Sequence, residues 1–229
     1  MSQSSPRLST GALLAIAIGL GAAAGAGWVY WKGPASGNGA AMQNAPAPQT
    51  ASCPAQNDRL AALKPFARGE VAAMSIRSMA TDLPPLAFVD ETGAKKSMAD
   101  FAGRTVLVNL WATWCAPCRA EMPALAELES TLGGDRFQVL AINIDTGTAD
   151  KPKAFLEEIG VSNLGLYRDE TIGVFNTLKK EGYAFGLPVT LLVGADGCLL
   201  GAMNGPAEWA SEDAKALIRA TIGVGEPAT

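Results

Sequence analysis

Apolar positions along this chain repeat at two different spacings, and each change of spacing marks a change of element. Leu60, Leu63 and Phe66 recur at helical spacing and predict a short first helix. Residues 86–89 form a short apolar strand, followed by the turn residues Glu91, Thr92 and Gly93. Residues 105–111 (TVLVNLW) are almost continuously apolar and rich in β-branched side chains, as expected of a strand buried on both faces. A helix over about 115–132 and a second buried strand over 137–144 (FQVLAINI) follow. Helical patterns recur at 153–159 and 171–179. Two more strands, 189–193 (VTLLV) and 198–202, are joined through Ala195-Asp196-Gly197, which suits an antiparallel hairpin. The last helix, 211–222, places Ala214, Leu217, Ile218 and Thr221 near one face. Strands separated by helices and closed by a hairpin predict an α/β fold, a mixed central sheet flanked by helices.

Before residue 53 the pattern is of another kind. Residues 11–31 are 21 uncharged positions, mostly Ala, Gly, Leu and Ile. As a helix they would rise about 31 Å, enough to cross a hydrocarbon core of about 30 Å. Trp28, Tyr30 and Trp31 gather at the far end, where aromatic rings favour the interface. A transmembrane anchor is expected at 11–31, with a short cytoplasmic tail at 1–10 and the remainder outside the cytoplasm. The alternative is a cleaved signal peptide, with Ala22, Ala24 and Ala26 imitating its small-x-small site. The length of the apolar run and its aromatic end favour retention. Residues 32–52 are rich in Gly, Pro and Ala and carry one charge, Lys32, so they read as a flexible tether. A globular domain over 53–226 is left.

Composition then narrows the chemistry. The chain has 229 residues, 18 Lys+Arg against 22 Asp+Glu, and a net charge of −4. With no basic block it is a poor electrostatic match for nucleic acid. It contains 0 His. That absence excludes His-ligated metal sites, Cys-His nucleophiles and Ser-His-Asp triads.

Four cysteines remain, and two of them form Cys115-Ala116-Pro117-Cys118 where the buried strand passes into a helix. The unpaired N–H groups and positive partial charge of a helix N-terminus favour a thiolate. The first cysteine of the motif therefore becomes a nucleophile near neutral pH. The two-residue spacer lets the second sulfur resolve a mixed disulfide. Pro117 suits the first helical turn, where its missing N–H costs nothing. The competing reading, a zinc half-site, would need the other two cysteines. They lie 62 residues before and 80 residues after the motif and are not paired in sequence. No metal and no cofactor are expected.

The run V-N-L-W-A-T-W-C-A-P-C-R-x-E-M-P resembles the thioredoxin superfamily. It is most similar to the membrane-anchored branch of bacterial thiol-disulfide reductases that includes TlpA, ResA and the cytochrome c maturation thioredoxins. The resemblance covers about 84–222. It implies a thioredoxin fold, with a four-stranded core sheet and a family insertion at about 146–177. By position, Cys115 matches the attacking and Cys118 the resolving cysteine, Trp111 and Trp114 the flanking tryptophans, and Pro123 the kinking proline of the active-site helix. Leu187-Pro188 matches the cis-proline loop that faces the disulfide and pairs with a bound partner's backbone. One position departs. Thioredoxins carry a buried Asp where this chain has Asn109, which cannot accept a proton. Asp145 and Glu121 are the candidate replacements for that proton relay.

Cys53 and Cys198 are left over, and an oxidising compartment favours their pairing as a structural disulfide. The alternative is two unrelated thiols, with Cys198 a small core hydrophobe.

The Ala-Pro spacer lacks the His of strong oxidants and is close to the spacer of reducing thioredoxins. The resemblance points the same way, to a reductant of protein disulfides. An oxidant or isomerase, and less readily a thioredoxin-fold peroxidase, are the alternatives. The implied partners are a copper chaperone, an oxidase copper subunit or apocytochrome c. Recharging is implied through a DsbD/CcdA-type membrane thiol-transfer protein. The implied location is the bacterial inner membrane, with the catalytic domain in the periplasm. Copper chaperones of the same fold need a His ligand, so that role is excluded here.

Overall fold

Strand Thr105–Trp111 (β4) is buried at all seven positions and is the centre of the architecture. The structure, a computed structural model, describes Cys53 and residues 57–223. Chain order begins with helix Asn57–Leu63 (α1), strand Ser75–Asp82 (β1) and the short strands Ala87–Val89 (β2) and Lys95–Ser97 (β3). β4 leads into helix Ala116–Leu132 (α2) and strand Phe137–Asn143 (β5). Helix Asp150–Glu158 (α3), strand Tyr167–Arg168 (β6) and helix Gly173–Lys180 (α4) follow. Strands Val189–Val193 (β7) and Cys198–Asn204 (β8) and helix Glu212–Gly223 (α5) complete it.

All eight strands form one mixed sheet in the order β1-β8-β7-β4-β5-β6-β2-β3. β4 runs parallel to β5 and antiparallel to β7. The expected four-stranded core is present as β8, β7, β4 and β5. Around that core the flanking segments add β1 on one side and, on the other, β6 followed by the β2–β3 hairpin, so the described residues form an eight-stranded sheet. The helix expected at 153 starts earlier, at Asp150, since Pro152 falls within its first turn, where no N–H is needed. The helix expected at 171 starts at Gly173 instead. Asp169 accepts hydrogen bonds from Thr171 N and Val174 N, so Thr171 belongs to the turn that precedes the helix.

Side chains from both faces of the sheet make the core. Leu107, Leu110, Leu140, Ile142, Leu191 and Leu192 from the strands are fully buried, as are Leu125, Leu128, Leu217 and Ile218 from α2 and α5. Each such side chain contributes about 1.5–3 kcal/mol by leaving water. The hairpin joining β7 to β8 turns at Gly197, whose φ of +81° is a conformation that side chains rarely adopt. Among the described residues no helix is long and apolar enough to cross a membrane. The expected tail at 1–10, anchor at 11–31 and tether at 32–52 lie outside the described residues.

Cys53 is disulfide-bonded to Cys198 across a sequence separation of 145 residues. Its N–H donates to Asp82 Oδ1 at 2.9 Å, and Asp82 is the register partner of Cys198. The bond therefore ties the residue ahead of α1 to the β1–β8 pair at the edge of the sheet.

Replacing both residues, Cys53→Ser with Cys198→Ser, is expected to lower unfolding free energy by about 2–5 kcal/mol in denaturant titrations. Alkylation of the Cys115–Cys118 pair after mild reduction is expected to stay unchanged. A wild-type protein that exposes four thiols when only the active pair has been reduced would contradict the pairing.

Candidate active site

Cys115 and Cys118 lie at the C-terminal end of β4, where the chain turns into α2. Cys115 is the N-cap of α2, and the two sulfurs are bonded to each other. The N–H of Cys118 points at Cys115 Sγ at 3.3 Å. In the reduced state that N–H and the helix N-terminus would hold the Cys115 thiolate. Cys115 keeps 6% of its surface and Cys118 none, so only the first sulfur can be reached by an attacking or attacked partner.

Two loops frame the disulfide. Ahead of it, Thr113 N donates to both oxygens of Asp145, at 3.1 and 3.2 Å, and Cys115 N donates to Ala112 O. Across the sheet the Leu187–Pro188 peptide is cis. Leu110 pairs with Val189, which sets Pro188 at the same end of the sheet as Cys115. Gly205 N donates to Pro188 O at 2.9 Å, and Asn204 binds Tyr183 O and Phe185 N. The loop is thus fixed by its backbone, while Phe185 stays 79% exposed. Trp114 is 67% exposed beside the motif. Pro117 is exposed in the first turn of α2, and Pro123 lies inside the helix on its exposed side. The two large exposed apolar side chains, with half-buried Leu187, give the site a surface that water solvates poorly and an apolar partner would cover.

A cleft of about 320 Å³ adjoins the motif on the α3 side, lined by Thr113, Arg119, Lys151, Ala154, Phe155 and Glu158. The Arg119 guanidinium stacks over the Phe155 ring at 4.8 Å, and that ring packs on buried Trp111.

Glu121 stands three residues after Cys118, on the same face of α2. Its carboxylate is buried and accepts three hydrogen bonds. Asn109 Nδ2 donates to Oε1 at 2.8 Å, while Ala207 N and Trp209 Nε1 donate to Oε2 at 3.2 and 3.1 Å. Burial pushes its pKa from 4.5 up to about 7, against the pull of those three donors. A carboxyl that titrates near neutral pH one helical turn from a buried cysteine can take and return a proton. The two carboxylates proposed for the relay therefore differ in setting. Glu121 sits beside Cys118 on α2, whereas Asp145 is engaged by Thr113 and by Asn143 Nδ2. Trp209 was not predicted as part of the site. It lies 88 residues from Glu121 and on no motif, so no local pattern marks it.

These features agree with comparisons to known proteins. The AhpC/TSA family profile matches residues 79–201, and the chain belongs to that family. It is 35% identical over 109 residues to the thiol:disulfide interchange protein CycY of Rhizobium leguminosarum bv. viciae, covering 48% of this chain and 54% of that one. It is 30% identical over 115 residues to the thiol-disulfide oxidoreductase ResA of Geobacillus thermodenitrificans, covering 50% and 62%. The solved structure of a thiol:disulfide interchange protein, DsbE, of Chlorobium tepidum superposes with a TM-score of 0.54 at 27% identity, covering 62% of this chain and 96% of that one. The chain is a thioredoxin-like protein of the TlpA/ResA type. It spans between about half and two thirds of the length of these two curated relatives.

Glu121 makes stability depend on pH with a defined sign. Its folded-state value lies above the unfolded one, so the folded state binds the proton more tightly. The contribution is full below about pH 4.5 and is lost as pH rises through about 7. The loss amounts to about 3 kcal/mol. Denaturant unfolding of the oxidised protein between pH 4.5 and 8 should show this slope, and Glu121→Gln should flatten it. Parallel pH profiles for the two proteins would mean that Glu121 titrates normally.

Proposed function

We propose that this protein is a membrane-anchored thiol:disulfide oxidoreductase that reduces disulfides in partner proteins outside the cytoplasm. The observation that carries the activity is the Cys115–Cys118 disulfide, its reachable sulfur at the head of α2 and its second sulfur buried on the helix face that carries Glu121 one turn later. The matches to CycY, ResA and DsbE, all named for thiol–disulfide exchange, support the reaction class.

The cycle begins with both cysteines reduced. The Cys115 thiolate attacks one sulfur of the partner's disulfide, and the other partner sulfur leaves as a thiolate. Trp114, Leu187 and Phe185 receive the apolar surroundings of that disulfide, and the cis-Pro188 loop lies alongside. Glu121 takes the Cys118 proton, and the Cys118 sulfur attacks Cys115 Sγ. The partner's second sulfur leaves and takes up a proton. Two electrons have passed to the partner, and Cys115–Cys118 is oxidised. A DsbD/CcdA-type membrane thiol-transfer protein returns two electrons for the next turnover.

The direction rests on the Ala-Pro spacer and on the likeness to the TlpA and cytochrome c maturation branch. The same likeness supports the partner class: a copper chaperone, an oxidase copper subunit or an apocytochrome c. The apolar run at 11–31 supports the anchor in the inner membrane, with the catalytic domain in the periplasm. The alternatives are separable by experiment. An oxidant or isomerase would have a high potential, and a peroxidase would work with Cys115 alone.

The Cys115–Cys118 potential against glutathione is expected toward the reducing end of the range, near about −270 mV. A value above about −150 mV would overturn the reductant reading. Cys118→Ser is expected to lose reductase turnover and to accumulate mixed disulfides with membrane-associated copper or haem assembly proteins. Trapping of cytosolic proteins alone would refute the topology, and retained turnover on peroxide would favour the peroxidase.

A further inference from the structure

Between the ends of β4 the one polar side chain is Asn109, and it is fully buried. Both hydrogens of its amide are used, one toward Glu121 Oε1 at 2.8 Å and one toward Thr190 Oγ1 at 3.1 Å. Its oxygen, Oδ1, is buried and accepts from nothing. A buried carbonyl oxygen without a donor destabilises a fold. Turning the amide over would not relieve it while Glu121 is ionised, because Oδ1 would then face a carboxylate oxygen. Thr190 stands opposite Asn109 in the β4–β7 register and braces the orientation seen.

The same hydrogen bonds determine where a proton can land. A carboxylate offers about four acceptor positions. Ala207 N and Trp209 Nε1 occupy Oε2, and Asn109 Nδ2 occupies one position on Oε1. The position left open is on Oε1, the oxygen that Asn109 holds.

We propose that Asn109, braced by Thr190, is a positioning residue for proton transfer that fixes Oε1 of Glu121 as the atom receiving the Cys118 proton. This rests on the reading of Glu121 as the proton acceptor in resolution. The S–H bond of Cys118 breaks as the O–H bond forms on Oε1. The electron pair left on sulfur then attacks Cys115 Sγ. The return of the proton to solvent or to the departing thiol restores the carboxylate, and no other reactant is needed. The orphaned Oδ1 is the consequence of this arrangement: an amide that must present both hydrogens, to the brace and to the carboxylate, leaves its oxygen facing apolar core.

A purely structural role is separable from this one. Asn109→Leu keeps the side-chain shape and removes the orphaned oxygen, so folding stability should be retained or raised at pH values where Glu121 is protonated and lowered where it is ionised and has lost a donor. The Glu121 carboxyl, titrated by ¹³C NMR in the oxidised protein, should nevertheless shift upward by about one to two pH units through loss of a hydrogen bond to a charged group. The pH midpoint of resolution should move with it. Resolution is read as the second release of 5-thio-2-nitrobenzoate after the reduced protein meets the aromatic disulfide. Thr190→Val, which removes only the brace, should move both midpoints in the same direction by less. Midpoints unchanged in both variants, with Glu121→Gln still slowing resolution, would overturn the role of Asn109 and leave Glu121 in place. Resolution that is indifferent to Glu121→Gln would overturn the reading on which the proposal rests.

Discussion

Complete burial of β4 is the constraint on which the rest of this structure depends. A strand with every position covered must have partners on both edges and apolar layers on both faces. β5 and β7 supply the edges, and α2 returns against β5. The active site is placed by the end of that strand. Trp111 is the last residue of β4, Cys115 caps the helix four residues later, and the register with β7 brings Pro188 to the same level. The Cys115 sulfur is therefore held just past the end of a fully buried strand, while part of its surface remains open.

A carboxylate buried in such a core is costly unless it is hydrogen-bonded. Glu121 is held by three donors from two separate stretches of chain: Asn109 on β4, and Ala207 and the indole of Trp209 just past β8. Three donors ordinarily lower a carboxyl pKa. Here burial outweighs them and the value rises to about 7. The balance between the two effects is what leaves the group able to exchange a proton near neutral pH. Neither desolvation alone nor hydrogen bonding alone would put it there.

Much of this was legible in the chain. β4 and β7 match their apolar runs residue for residue, because a strand buried on both faces shows an unbroken run that nothing else in a chain of this kind imitates. β1 was not legible. Its sequence, SIRSMATD, buries only Ala80 and is irregular between Ile76 and Thr81, so it shows no alternation to read. β3 (Lys95–Ser97) and the two-residue β6 are strands by virtue of their neighbours and not of their own composition. The site divides in the same way. Cys115, Cys118, Pro117 and Pro188 are local signals. Glu121 could be singled out as a carboxylate at helical spacing from Cys118, on a stripe that also carries Met122 and Leu125. Its partners could not, since Trp209 and Ala207 reach it only through the closed sheet. Asn109 read as a residue unable to accept a proton, but no local pattern marks it as a donor to Glu121, because that contact forms only when α2 packs on the sheet.

The segment Asn204–Trp209 joins the two halves of the site. At one end Asn204 holds Tyr183 O and Phe185 N, and Gly205 N holds Pro188 O, so the segment sets the shape of the loop where a partner would dock. At the other end Ala207 N and Trp209 Nε1 hold the carboxylate of Glu121. When Glu121 takes a proton, those two donors bind a neutral carboxyl and their hold weakens, since hydrogen bonds to charged acceptors are the stronger kind. The change is felt on the same short stretch of backbone that shapes the cis-proline loop. The buried acid and the cis-proline loop are therefore tied to one stretch of six residues that leaves the sheet at the end of β8.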